Sequence, residues 1–179
     1  ELSKEKGSYS VFEGSDWETG SYFEKRGYLS KESTFDWDSL SEKVNKHGIR
    51  NGYLMAVAPN ASTSIIAGST ASIDPIFQKV YSEEKKDYKI PVTVPDLNTT
   101  TTWFYKSAYF IDQHWSIKQN AARQRHIDQS ISFNLYVQNT IKAKELLELH
   151  LAAWSEGLKT TYYVRSTSST IEDCDSCAS

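Results

Sequence analysis

Two stretches of the chain carry apolar residues at helical spacing. In residues 37–47 the apolar positions recur with a period near 3.6, Asp36 precedes them as a capping residue, and Gly48 follows. Residues 139–156 carry a longer apolar stripe that Gly157 closes. The pattern predicts an amphipathic helix in each stretch.

Other stretches have the pattern of strands. Residues 53–58 are continuously apolar, which predicts a strand covered on both faces, as in a parallel sheet. Residues 133–136 are strand-like, and residues 160–165 are β-branched and aromatic directly after the second helix. A helix followed at once by a strand is typical of α/β architecture, which is the predicted fold class.

The remaining segments give weaker signals. We expect a helix over residues 1–6 that ends at Gly7 and a loop-rich region over residues 8–35. Asp74 followed by Pro75 predicts a short helix that runs to about Tyr81. The other expectations are a charged turn over 82–89, an extended segment over 90–94, and helices over 107–118 and 120–126.

Composition narrows the possible functions. The 179 residues fit one domain, and the net charge of −3 gives no electrostatic support for nucleic-acid binding. No apolar run is long enough to span a membrane, and no signal peptide is visible. Both cysteines fall in the last six residues, which favours a reducing, cytoplasmic setting. The chain starts at Glu1 in what looks like mid-helix, so we expect a piece of a longer or split polypeptide.

The two cysteines form a C-x-x-C motif, Cys174 and Cys177, after a Ser/Thr-rich linker. This spacing lowers a thiol pKa and favours disulfide exchange. The motif could also be half of a zinc site, which would need two more ligands, or a chance surface pair. A redox pair on a flexible tail, residues 166–179, is the preferred interpretation, and residues 1–165 form the folded part.

Two further features could carry chemistry. Tyr162 and Tyr163 are adjacent, and ordinary strand packing is the simplest explanation for them. Side chains alternate along a strand, so a stacked pair would need a bulge or a strand end. The segment 59–64 follows the apolar run 53–58 and is rich in hydroxyl groups. It is either a phosphate-binding loop at a strand end or a plain strand-to-helix turn.

Taken together, these features resemble the C-terminal portion of the large (catalytic) subunit of class I ribonucleotide reductases, and the class Ib branch most. The resemblance covers essentially the whole chain. The matching segments are residues 6–9, 12–17, 47–51, 54–56, 58–64 and 157–163, the region from Phe133 onward, and the terminal C-x-x-C.

The resemblance implies a fold and a set of roles. The fold would be the C-terminal part of a ten-stranded α/β barrel, to which residues 53–58 and 160–165 contribute strands. The loop Ala61, Ser62, Thr63 and Ser64 would hold the phosphates of a ribonucleoside diphosphate. Where some relatives have a glutamate or a threonine, this chain has Asn60 and Ala61. The resemblance therefore implies that backbone N–H groups and the hydroxyls of Ser62, Thr63 and Ser64 contact the phosphates.

The remaining implied roles concern radical transfer and reduction. Tyr162 and Tyr163 would relay a radical to a catalytic cysteine, with Tyr163 nearer the subunit interface and Tyr162 nearer that cysteine. Cys174 and Cys177 would be the shuttle cysteines that reduce the active-site disulfide. A thioredoxin- or glutaredoxin-like protein would in turn reduce them.

The resemblance also implies what this chain lacks. The radical cysteine and the active-site disulfide would lie on an N-terminal part of the large subunit, together with the sites for nucleotide effectors. A radical-generating small subunit would supply a dinuclear iron or manganese centre and a tyrosyl radical, and this chain would bind no metal or cofactor. The alternative is a non-catalytic α/β module that recognises phosphate and carries a metal-binding C-x-x-C tail.

Overall fold

The computed structural model describes residues 1–29, 33–84 and 86–167 of the chain. They divide into two units, of which the first is Glu1–Met55 and the second begins at Ala56. The cysteine tail predicted over 166–179 lies outside the described residues from position 168 onward. The predicted boundary at residue 165 therefore stays a prediction.

The first unit is built from short helices around an aromatic core. Trp17, Phe23 and Val44 are buried there, and the Tyr22 ring stacks on Trp17 at a centroid distance of 3.4 Å. The region predicted as loop-rich thus contains two short helices, which the aromatic contacts hold in place. The helices of this unit are α1 Leu2–Lys6, α2 Asp16–Thr19, α3 Ser21–Lys25 and α4 Trp37–His47.

Two helix predictions in this unit are confirmed. The Asp36 carboxylate accepts a hydrogen bond from the Ser39 N–H at 3.0 Å and caps α4, as expected for aspartate at this position. Gly48 ends the helix with φ at 69°. Gly7 ends α1 with φ at 74°. Both glycines have a positive φ, which a residue with a Cβ rarely adopts.

The second unit contains a β-hairpin and a β–α–β element. Its regular elements are α5 Ala61–Ile66, β1 Val80–Glu84, β2 Lys89–Thr93, α6 Gln113–Gln124, β3 Leu135–Val137, α7 Ala143–Ser155 and β4 Val164–Ser166. Short 3₁₀ turns cover Thr102–Phe104 and Ala108–Phe110.

The β–α–β element forms the centre of the second unit. Strands β3 and β4 are parallel, with Leu135 opposite Val164, and α7 is the crossover between them. Helix α6 and helix α7 pack on the same core, in which Ile117, Phe133 and Leu149 are buried. The predicted α/β class is therefore confirmed, because parallel neighbours joined by a helix define it.

The helix predicted after Asp74 is wrong. The Asp74 carboxylate accepts hydrogen bonds from Asn134, so it does not cap a following turn. The chain instead enters strand β1, which pairs antiparallel with β2 and takes in part of the predicted charged turn. The extended segment predicted over 90–94 is confirmed as most of β2, where Pro91 faces Ser82.

The predicted strand over 53–58 is also wrong in this chain. Val57 alone forms a parallel bridge, to Ile131, while Tyr53, Leu54 and Met55 are exposed. A strand covered on both faces needs neighbours along its length, and the described residues supply one only at Val57.

The two helices predicted over 107–118 and 120–126 are replaced by the 3₁₀ turn Ala108–Phe110 and one continuous helix, α6. Asp112 caps it by accepting from the His114 N–H at 3.0 Å, and this hydrogen bond holds the pKa of the Asp112 carboxyl below its usual value. Within α6, the buried Asn120 amide donates to the Ser116 carbonyl oxygen one turn back. Within the described ranges, none of the helices is long and apolar enough to cross a membrane.

Candidate functional site

A cavity of about 460 Å³ opens in the second unit, where the hairpin, the first turn of α5 and the start of β4 meet. Its lining includes four residues that the sequence singled out: Ala61, Ser62, Tyr162 and Tyr163. These residues are far apart in the chain, and the fold brings them to one cavity. Thr63 and Ser64 belong to the same helical turn, outside the lining.

The two tyrosines face each other at the edge of this cavity. Their ring centroids are 3.9 Å apart with an interplanar angle of 40°, and the Tyr162 hydroxyl donates to the Tyr163 hydroxyl oxygen at 3.1 Å. Both side chains are partly exposed, at 46% and 39%. The rings are therefore close enough for a proton to pass between their oxygens.

An extra residue ahead of β4 explains why consecutive side chains lie on the same side. In a regular parallel ladder, one residue bonds through both its N–H and its C=O to the partner strand. Here the Tyr162 N–H donates to the Phe133 carbonyl at 2.9 Å, while the Leu135 N–H donates to the Tyr163 carbonyl at 2.9 Å. The two bonds thus fall on successive residues. This is a bulge, the departure that a stacked pair was expected to need.

The hydroxyl-rich segment forms the first turn of α5. Asn60 precedes it in the left-handed region with φ at 50°, and Ser64 is buried with its hydroxyl donating to the Ala61 carbonyl at 2.6 Å. The hydroxyls of Ser62 and Thr63 are exposed, and Ser62 is the one beside the cavity. The segment is thus a turn into a helix, and before it the described residues contain the single bridge at Val57 rather than a strand. Ligand binding at this turn stays a prediction.

Further residues of the site were missed by the sequence patterns. Arg165 lines the cavity, and its guanidinium carbon lies 5.7 Å from the centre of the Tyr163 ring. Tyr136 also lines it, and burial raises the pKa of this phenol. Asn134 lines the cavity and contacts Asp74. Asn134 could have been noticed as the polar residue inside an otherwise apolar strand segment.

Cys174 and Cys177 lie outside the described residues, so the predicted redox pair has no geometry here. Among residues 1–29, 33–84 and 86–167, no group of three or more His, Cys, Asp or Glu side chains could hold a metal ion.

Comparisons with known proteins identify the family. The family model described as "Ribonucleotide reductase, barrel domain" matches residues 1–164. The chain is 51% identical to the ribonucleoside-diphosphate reductase subunit alpha of Treponema pallidum over 178 residues. It is 44% identical to the corresponding subunit of Helicobacter pylori strain J99 over 182 residues.

These alignments cover 99% and 96% of this chain but 21% and 23% of the two relatives, so the chain spans about a fifth to a quarter of their length. Among solved structures, the Actinobacillus ureae class Id ribonucleotide reductase alpha subunit is similar with a TM-score of 0.54 and 27% identity. That match covers 71% of this chain and 29% of that subunit. The α/β barrel expected from the sequence is thereby confirmed as the fold to which this chain contributes. The chain belongs to the ribonucleotide reductase barrel-domain family.

Proposed function

We propose that this chain forms part of the large subunit of a class I ribonucleotide reductase, which reduces ribonucleoside diphosphates to deoxyribonucleoside diphosphates. The observation that carries the proposal is the tyrosine pair, whose hydroxyl oxygens are 3.1 Å apart at the edge of a cavity that Ser62 also lines. A radical relay and a substrate site would then share one cavity. The relatives that cover the whole chain have names that state this activity.

The pair would pass a hydrogen atom from one ring to the other. A phenol with a pKa near about 10 is protonated at neutral pH, so oxidising it requires the loss of both an electron and a proton. When the Tyr163 oxygen is a radical, the Tyr162 hydroxyl gives up its hydrogen. Tyr162 then carries the radical and Tyr163 is an intact phenol. Tyr162 would next oxidise a cysteine on the remainder of the large subunit.

The first turn of α5 would bind the diphosphate. The first N–H groups of a helix have no partner within it and, together with the helix dipole, favour an anion. In this proposal Ser62 and Thr63 add hydroxyl donors to the N–H groups of residues 61–63, while the Ser64 N–H already donates to the Asn60 carbonyl. Ser64 keeps the shape of the turn through its bond to the Ala61 carbonyl.

The tail and the partners complete the proposed reaction. Cys174 and Cys177 would reduce the disulfide formed in each turnover, and a thioredoxin- or glutaredoxin-like protein would reduce them. The N-terminal part of the large subunit would supply the radical cysteine and the nucleotide effector sites. A small subunit with a dinuclear iron or manganese centre would generate the radical.

The test is the turnover of the complete reductase that contains this chain, measured with Tyr162→Phe and Tyr163→Phe. Phenylalanine keeps the ring and removes the hydroxyl, so each variant is expected to assemble normally and to lose deoxynucleotide formation. Tyr88→Phe is the matched control, because Tyr88 is exposed, directly precedes β2, and is not among the residues that line the cavity. Near-normal turnover in either relay variant would refute the proposal.

A further inference from the structure

We propose that Asp74 and Asn134 are positioning residues that hold the bulge before β4, and through it the facing geometry of Tyr162 and Tyr163. This inference depends on the proposed relay and names the residues that set its geometry. Neither residue has a role in the relay chemistry itself.

The bulge leaves one backbone donor without its regular partner in the ladder, the N–H of Tyr163. This N–H donates to the side-chain oxygen of Asn134 at 3.2 Å. Asn134 lies on the neighbouring segment between Phe133 and Leu135, whose backbone groups bond to the two tyrosines. The Asn134 amide oxygen therefore takes the place of a backbone carbonyl as the acceptor for the Tyr163 N–H. Regular pairing of β3 with β4 continues directly after the extra residue.

The Asp74 carboxylate fixes the orientation of that amide. It accepts from the Asn134 side-chain nitrogen at 2.6 Å and from the Asn134 backbone N–H at 3.1 Å. Ser72 donates a further hydrogen bond to the same carboxylate at 2.8 Å. With its nitrogen held by Asp74, the Asn134 amide can present only its oxygen to Tyr163.

The surroundings of this pair favour a fixed geometry. Asp74 is 7% exposed and Asn134 is 5% exposed. Burial raises the pKa of the Asp74 carboxyl. The hydrogen bonds from Ser72 and Asn134 and the positive charge of Arg165 lower this pKa, but by less than burial raises it. A buried carboxylate is unfavourable unless it is fully hydrogen-bonded, so each of these donors has a defined place.

Single substitutions are expected to break the arrangement. Asp74→Asn places an amide N–H₂ against one of the two Asn134 donors, either its backbone N–H or its side-chain N–H₂. Two donors then face each other or, where the side chains meet, the Asn134 amide turns round. A turned amide directs its nitrogen at the Tyr163 N–H, which again opposes two donors. Asn134→Asp brings two carboxyl groups together, which favours binding of a proton between them.

Exchanging the two residues restores every bond between them. In Asp74→Asn with Asn134→Asp, the new aspartate at 134 accepts from the Tyr163 N–H and from the amide at 74. The new asparagine oxygen accepts from the backbone N–H of residue 134. The exchange keeps the volume and the total charge of the pair. The Ser72 hydroxyl then accepts from the amide nitrogen at position 74 and donates to the Ser132 carbonyl. The exchange therefore separates hydrogen-bond orientation from packing.

The experiment measures kcat and KM for a ribonucleoside diphosphate in the complete reductase. We expect Asp74→Asn to lower kcat by about tenfold or more, because small misplacements of reacting groups cost up to on the order of 10²-fold. KM should stay within about twofold, since the first turn of α5 is not altered. The exchanged pair should recover kcat to within about threefold of the wild type.

Gln124→Leu is the control, because Gln124 is a buried amide that bonds to the Ile127 and Gln129 carbonyls, apart from the tyrosines. It should lower the melting temperature and leave kcat within about twofold.

Three outcomes would overturn the positioning role. They are a normal kcat in Asp74→Asn, an exchanged pair that stays as slow as the single variant, and a Gln124→Leu variant as slow as Asp74→Asn. If Asp74→Asn does not fold, the kcat of the exchanged pair alone tests the positioning role: recovery supports it, and a slow exchanged pair overturns it. Tyr162→Phe in the same assay separates this inference from the proposed function. If it is inactive while Asp74→Asn is normal, only the positioning role is overturned, whereas an active Tyr162→Phe overturns the relay.

Discussion

Tyr162 and Tyr163 are consecutive in the chain, yet their ring centroids lie 3.9 Å apart. Consecutive residues of an ordinary strand point to opposite faces, so this contact requires a departure from regular pairing. The departure is one extra residue between the bonds to Phe133 and Leu135. A bulge that re-aims side chains is a recurrent feature beside active sites, and here it brings two phenol oxygens within hydrogen-bonding distance.

The phosphate contact proposed for Ser62 can be tested by Ser62→Ala. Loss of one hydroxyl donor to a diphosphate should weaken substrate binding by about 1 kcal/mol, which corresponds to a rise in KM of about fivefold. We expect kcat to change little, because the tyrosines are untouched. Steady-state kinetics of the complete reductase would measure both.

The matched control for that substitution is Ser155→Ala. Ser155 ends α7, its hydroxyl donates to the Ala152 carbonyl, and it does not line the cavity. Its KM should equal that of the wild type. An unchanged KM in Ser62→Ala would show that this hydroxyl does not bind substrate.

The cysteine pair should matter only when a protein reductant is used. We expect Cys174→Ser with Cys177→Ser to stop multiple turnover with a thioredoxin-like reductant and to retain turnover with a small dithiol, which can reach a buried disulfide directly. Product formed per enzyme, measured with each reductant, makes the comparison. Equal loss with both reductants would argue against a shuttle, and stoichiometric zinc in the purified protein would favour the metal-binding alternative.

The Asp74 carboxyl predicts a pH dependence of local stability. Burial raises its pKa above the unfolded value of 3.8, so the folded state binds more protons between the two pKa values. The contribution of Asp74 is therefore fully present below pH 3.8 and falls as the pH rises through the folded pKa.

Hydrogen exchange of the β3 amide groups in the complete subunit would measure this effect. At each pH the wild type is compared with Asp74→Asn, so that intrinsic exchange rates cancel. The extra protection of the wild-type amide groups over those of Asp74→Asn should shrink as the pH rises from 3.8 through the folded pKa of Asp74. If this extra protection grew with pH, the pKa of Asp74 would be lowered in the folded state instead.

The sequence predicted those elements whose signals are local. Helix α4 begins at a capping aspartate and ends at a glycine, and α7 carries its own apolar stripe, so both were predicted correctly apart from the first residues of α7. The strand after α7 was also expected, and it begins four residues later than predicted, at Val164. Local capping and periodicity were sufficient in these cases.

The failures occur where a distant residue decides the structure. Asp74 followed by Pro75 has the local signature of a helix start, but Asn134, which is 60 positions away, takes the carboxylate. The apolar run 53–58 has the composition of a buried strand, and only Val57 finds a pairing partner, at Ile131. Tertiary hydrogen bonds and pairing partners therefore override local preference at these positions.

The candidate site was predictable in part for the same reason. The positions of Ser62, Tyr162 and Tyr163 could be named from motifs, but their common cavity depends on the fold. Asn134 and Asp74 carry no motif, because their importance comes from the bond geometry at the bulge.

The most direct test of the relay is to detect a radical on the pair itself. An easily oxidised tyrosine analogue such as 3-aminotyrosine would be placed at position 162 or 163 of the complete reductase. The enzyme would then be mixed with its small subunit and substrate and frozen for electron paramagnetic resonance. The account predicts a new organic radical with the hyperfine pattern of the analogue at either position. Substrate reduction at the wild-type rate without such a signal would contradict it.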